Sequence, residues 1–138
     1  MTLKPAFALA ALAMLAAPAW AGDAAKGQKE FGKCRSCHTI ANGDEVIQKG
    51  GKTGPNLFGV VGRQAGTADF KYGDDIVAAG ENGLVWDEAM LATYMEDPRA
   101  FLQDYLDDKG AKSKMTFKMR KGAEDVAAYL ATLGAGDS

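Results

Sequence analysis

The chain is short of histidine, cysteine and long apolar runs. Its 138 residues hold one His and two Cys, so thiols and imidazole alone cannot complete a tetrahedral zinc site. Sustained two-residue alternation and internal repeats are both absent, which argues against a sheet-built domain or a repeat array. Neither sign of charge dominates: 16 basic residues face 18 acidic ones, for a net −2. Nothing in that total attracts a phosphate backbone, so a nucleic-acid partner is excluded. Hydrophobic residues make up 47% and charged residues 25%, the ordinary globular range, away from disorder and coiled coil. The length predicts one domain.

What is present begins with a leader. Lys4 precedes the apolar run 6–17, too short to span a bilayer, and Ala19-Trp20-Ala21 supplies small residues at −3 and −1. Residues 1–21 read as a secretory signal peptide cut after Ala21, leaving residues 22–138 as a single exported domain. No later segment is apolar enough to cross a membrane. A domain of that size buries only about two-thirds of the surface its unfolded chain exposes, so a large bound apolar group would help fill its core.

The helical signals come in short pieces. Asp23 caps a helix predicted over 24–33, in which Gly27 costs about 1 kcal/mol relative to Ala and so points to close approach by another backbone. From Asn42 to Gly66 the glycines at 43, 50, 51, 54, 59, 62 and 66 predict loop. Helices follow over 74–79, over 87–95 with Asp87 as cap, and over 99–106 after Pro98. The last, over 123–133, carries an apolar stripe of Ala123, Val126, Ala127, Leu130 and Leu133, with Gly134 to close it. The class is all-α with much loop.

Cys34-Arg35-Ser36-Cys37-His38 carries the chemistry. Two thiols at this spacing can each add across a vinyl group of one haem, and the adjoining imidazole can then ligate its iron. A thiol oxidoreductase would set such a pair beside a βαβ pattern, which is missing here. A plain disulfide would leave His38 without a role. One haem c, covalent through Cys34 and Cys37 with His38 on the iron, accounts for the whole motif.

No other histidine exists, so the opposite face of the iron falls to Met, Lys or an open site. Met90 and Met95 stand in a helical stretch where a thioether usually fills core gaps. Met115 lies in an irregular segment far from His38 in sequence, free to wrap around the opposite face, and is the predicted sixth ligand. Met119, near the last helix, is its competitor. A His/Met pair raises the reduction potential and leaves no open position, which favours electron transfer over oxygen or peroxide chemistry. Without such a pair, a peroxidase-like enzyme or a gas sensor becomes the reading.

Over nearly all of residues 22–138 the chain resembles the class I c-type cytochromes, most nearly the bacterial cytochrome c2 group. The resemblance is carried by the segment 22–31, the Cys-His motif, Lys52-Thr-Gly-Pro-Asn-Leu57, Phe70-Lys-Tyr72 and Lys114-Met-Thr-Phe-Lys118, all in family order. It implies the class I cytochrome c fold, with short helices and long loops wrapped around one haem. It also implies that the Pro55 carbonyl accepts from the His38 ring, and that Arg63, Tyr72 and Trp86 bind or shield a haem propionate. Tyr94 would pack near the axial Met, Ser113 would stand in for a Thr near a propionate, and Phe117 would complete the site. Gly27 and Phe31 with Tyr129 would form a crossing of the first and last helices.

The same resemblance implies a monomeric periplasmic one-electron carrier and no enzyme. It would be reduced by a membrane quinol-oxidising bc complex and oxidised by a photosynthetic reaction centre or a cytochrome oxidase. Lys29, Lys33, Lys52, Lys112, Lys114 and Lys118 flank the haem-binding and Met115 segments. In a chain of net negative charge they predict a positive face for transient docking of an acidic partner.

Overall fold

The computed structural model describes residues 22–134. Helix α1, Ala24–Glu30, starts where the Asp23 carboxylate accepts from the amides of Ala25 and Lys26, satisfying donors that have no partner within the helix. It then tightens into a 3₁₀ turn over Phe31–Cys34, so the predicted single helix to residue 33 is two pieces. The tighter turn leads straight into the Cys-His motif.

The loop prediction over 42–66 needs correction at its start. Strands β1, Ile40–Asn42, and β2, Glu45–Gln48, pair antiparallel through a Gly43-Asp44 turn. Gly43 takes φ of 58° there, a left-handed conformation that tight hairpins demand and glycine adopts freely. The hairpin docks through Gln48, whose amide donates to the Tyr129 hydroxyl at 3.1 Å.

The remaining helices follow their caps. In α2, Asp74–Glu81, Asp74 and Asp75 occupy the first turn, where negative charge suits the helix dipole. Helix α3, Glu88–Glu96, is capped by Asp87, and α4, Pro98–Leu106, by Asp97, with Pro98 at the first helical position. Helix α5, Ala123–Ala131, ends earlier than its apolar stripe predicts because Thr132 and Leu133 turn into i→i−3 bonds onto Tyr129 and Leu130.

The core is set by two packings. Helices α1 and α5 cross where Gly27 meets the Asp125 carbonyl and the Tyr129 side chain, and the Phe31 and Tyr129 rings meet edge-on at 6.0 Å. Gly27 is therefore there for close approach, as predicted. Helix α3 packs on both α4 and α5, bringing Trp86, Tyr94 and Phe101 into one aromatic cluster with centroids 5.0–5.7 Å apart. None of the helices among the described residues is long and apolar enough to cross a membrane. The signal-peptide prediction falls on residues 1–21, outside the described ones.

Candidate functional site

The 3₁₀ turn delivers Cys34, Cys37 and His38 to one wall of a cavity of about 290 Å³ that opens to the surface. The turn closes on itself through the His38 amide, which donates to the Cys34 carbonyl at 2.9 Å. The glycine-rich loop clamps it from outside: Gly51 N–H donates to the Arg35 carbonyl and Gly54 N–H to the Cys37 carbonyl. Thr39 fastens the same loop through its hydroxyl, which both accepts from the Gly50 amide and donates to the Gly50 carbonyl. A sequence read as mere loop is thus the brace of the motif.

His38 donates from Nδ1 to the Pro55 carbonyl at 2.8 Å. A carbonyl can only accept, so the proton is on Nδ1 and Nε2 keeps its lone pair. Burial lowers the imidazole pKa, partly offset by the bond to Pro55, which keeps the ring neutral and able to ligate. Gly54 lies against the same ring: a Cβ there would come within 2.7 Å of Nδ1.

No disulfide joins Cys34 and Cys37. Burial, reinforced by the charge of Cys37, pushes the Cys34 thiol up to about 11. Hydrogen bonds from Thr53 and Ser36 lower that of the exposed Cys37. The two sulfurs therefore differ in environment, one turned inward and one at the surface.

Residues 112–117 of the 107–121 segment line the same cavity. Met115 is half-buried on the wall, beside Lys114 and the 43%-exposed Phe117. Met95 also lines the cavity, buried on α3. Met119 does not: it is buried in the core, with its amide donating to the Met95 carbonyl at 2.7 Å. Of the methionines considered in sequence, Met115 and Met95 therefore line the cavity with Met90 and Met119 outside it.

The other predicted residues converge on the same space, since Pro55, Arg63, Tyr72, Trp86, Tyr94, Ser113 and Phe117 all line it. Arg63 is held by the carbonyls of Asn56 and Phe58. The Tyr72 hydroxyl accepts from the Ala68 amide at 3.3 Å, and the Tyr94 and Ser113 hydroxyls are 3.3 Å apart. Burial raises the Tyr94 pKa, so its phenol stays protonated and able to donate. Of the predicted docking lysines, Lys33, Lys112 and Lys114 line the cavity, whereas Lys29, Lys52 and Lys118 lie outside it. The apolar lining from Val60, Leu91, Leu102, Val126 and Leu130 was missed as a site. Its signal was the helical stripe already visible on α5, which ordinary core packing explains equally well.

Comparison with known proteins gives the family. The chain is 60% identical over 131 residues to cytochrome c-551 of Roseobacter denitrificans, covering 93% of this chain and 94% of the relative. It is 58% identical over 136 residues to cytochrome c2 of Rhodobacter capsulatus, covering 96% and 98%. The solved structure of the Rhodobacter capsulatus cytochrome c2 superposes with a TM-score of 0.79 at 62% identity, over 80% of this chain and 97% of that one. The chain belongs to the cytochrome c2 family. No family model matches the chain.

A cytochrome c2 carries haem c, and the cavity fits that group. Its lining is predominantly apolar, as a porphyrin face requires. One wall presents a neutral imidazole with a free Nε2 and two unbridged thiols. Met115 offers a thioether to the same cavity, and Arg63, Tyr72 and Ser113 offer guanidinium and hydroxyl donors for carboxylates. Gly54 leaves the imidazole face uncrowded on the loop side.

Proposed function

We propose that this cytochrome is a periplasmic one-electron shuttle, reduced by a membrane quinol-oxidising bc complex and oxidised by a photosynthetic reaction centre or a terminal oxidase. Export would follow cleavage after Ala21, leaving residues 22–138 as one domain. Cytochromes c are electron carriers, and haem c supplies the redox chemistry when bound. Cys34 and Cys37 would hold it through thioethers, and His38 and Met115 would take the two axial positions.

The observation that carries this reading is the His38–Pro55 bond at 2.8 Å. It fixes the tautomer and aims the basicity of the imidazole, which is what a carbonyl partner does for a ligating histidine. Met115 supports a closed site, because it lines the same cavity from an irregular segment while Met95 is held within a helix. Two protein ligands exclude oxygen and peroxide from the metal and favour outer-sphere transfer. Arg63, Tyr72, Trp86 and Ser113 would satisfy the propionates, which cannot be buried without donors. Lys29, Lys33, Lys52, Lys112, Lys114 and Lys118 would give a positive face on which an acidic partner docks briefly, as a monomeric shuttle requires.

The test is the absorption spectrum of the ferric holoprotein beside its Met115→Ala variant, read at the weak long-wavelength band of an iron–thioether bond. The band should be present in the first and lost in the second. A band that survives the substitution moves the ligand to Met95. A haem protein with no such band at all ends the electron-carrier reading of the site.

A further inference from the structure

The 107–121 segment has no helix or strand of its own, so what holds it is a short set of contacts. After Met115 it is fastened by the Lys118–Asp97 ion pair at 2.9 Å and by the Met119 amide on the Met95 carbonyl. Before Met115, the Gln103 amide of α4 donates to the carbonyls of Lys109 and Ala111. Between those anchors two bonds cross to the neighbourhood of α2. The backbone N–H of Lys112 donates to the Asp75 carboxylate at 2.7 Å, and Lys114 Nζ donates to the Lys71 carbonyl at 3.1 Å.

These two are unequal. The lysine bond ends a long exposed side chain and must hold several rotamers fixed for one contact. The Asp75 bond is also charge-assisted, but it joins a short, half-buried carboxylate to a main-chain donor, so far fewer rotamers are fixed for the one contact. Asp75 stands in the first turn of α2, whose far end is packed with Ala79 and Gly80 buried. The carboxylate therefore ties the Met115 segment to a rigid element.

We propose that Asp75 is a positioning residue for Met115, setting how often the segment leaves the cavity wall. The inference rests on the reading of Met115 as axial ligand. Asp75 does not itself line the cavity; it acts by fixing the backbone of Lys112, three residues before Met115, so that opening must break this bond.

The experiment uses the ferric holoprotein and measures how fast added imidazole binds, a rate limited by departure of the axial Met. Asp75→Ala should speed binding about tenfold, the low end for losing a bond to a charged group at a solvent-accessible donor. Asp75→Asn keeps an accepting oxygen and should stay within about threefold of the parent protein. Asp74→Ala removes the same charge from the same helix turn, and Asp74 has an exposed side chain, so it should leave the rate unchanged. In the unsubstituted protein the Lys112 amide should exchange its hydrogen more slowly than those of Ser113 and Lys114, a readout that needs no variant.

An Asp75→Ala rate equal to the parent's overturns the proposal, as does an Asp74→Ala rate raised as much, or an unprotected Lys112 amide. Failure of the axial reading shows separately, as a thioether band that survives Met115→Ala. In that background Asp75→Ala should add nothing to imidazole binding if the proposal holds.

Discussion

His38 and Gly54 share one face: the imidazole that donates to the Pro55 carbonyl at 2.8 Å lies where a Cβ on Gly54 would come within 2.7 Å of Nδ1 and 2.8 Å of Nε2. The carbonyl that orients the ring belongs to the backbone, so Pro55→Ala retains the acceptor. Gly54→Ala does not retain the space. The added methyl must push the ring aside or break the Gly54 amide bond to Cys37. Gly54→Ala should therefore lower the yield of holoprotein and cost about 2 kcal/mol of stability, the usual scale of an overpacked site, while Pro55→Ala stays close to the parent. Haem content and denaturant unfolding of the two variants check this, and equal behaviour would sink it.

Gly27 makes the same argument for the fold. Alanine there would gain about 1 kcal/mol of helix propensity, yet its Cβ would collide with the Asp125 carbonyl and come within 2.9 Å of the Tyr129 Cβ. A backbone carbonyl in a packed helix cannot move aside cheaply. Gly27→Ala is expected to lower stability by about 2 kcal/mol or more, seen as a lower denaturant midpoint at unchanged slope. A midpoint at or above the parent's would mean that α1 and α5 slide apart at little cost.

Much of this was legible because the signals were local. Asp23 and Asp87 mark helix starts by a side chain that reaches its own next turn, whereas the Asp97 cap of α4 was not read beside Pro98, and the Cys-His motif states its chemistry within five positions. Gly27 was legible too, since a costly residue in a helix needs a reason. The hairpin was missed because glycine density hid the Gly43-Asp44 turn between the short apolar pairs Ile40-Ala41 and Val46-Ile47. Sequence set Met95 aside as core filler and kept Met119 as competitor, yet Met95 lines the cavity and Met119 does not: which methionine faces it is a tertiary matter. The Asp75 contact, 37 residues from Lys112, has no sequence signal at all.

Asp97 gives a pH dependence. Its carboxylate accepts from the Ala100 amide as the cap of α4 and pairs with Lys118 beyond Met115. The Ala100 bond first, and the Lys118 side chain second, lower its pKa. A group lowered in the folded state contributes stability that is fully present above the ordinary carboxylate range and lost as pH falls through the lowered value. Thermal melts from pH 5 downward should thus show less acid sensitivity in Asp97→Asn than in the parent, with the variant already weaker at pH 7. Parallel curves would show that the cap carries no titrating contribution.

The last expectation concerns which lysines steer a partner. Lys114 lines the cavity and its ammonium donates to a neutral carbonyl, and among the described residues it forms no ion pair. Lys118 lies outside the cavity and pairs with Asp97, so it can meet a partner's carboxylate only after leaving that contact. At about 0.15 M salt screening acts within about 8 Å, so charges at the rim should dominate the docked encounter. Lys114→Gln is expected to slow electron transfer with an acidic redox partner about two- to fivefold at low ionic strength, and Lys118→Gln less, with the differences closing as salt rises. Stopped-flow rates across ionic strength decide it. If the two variants slow alike at every salt concentration, steering comes from the net charge of the face, and the rim around Met115 has no special part in docking.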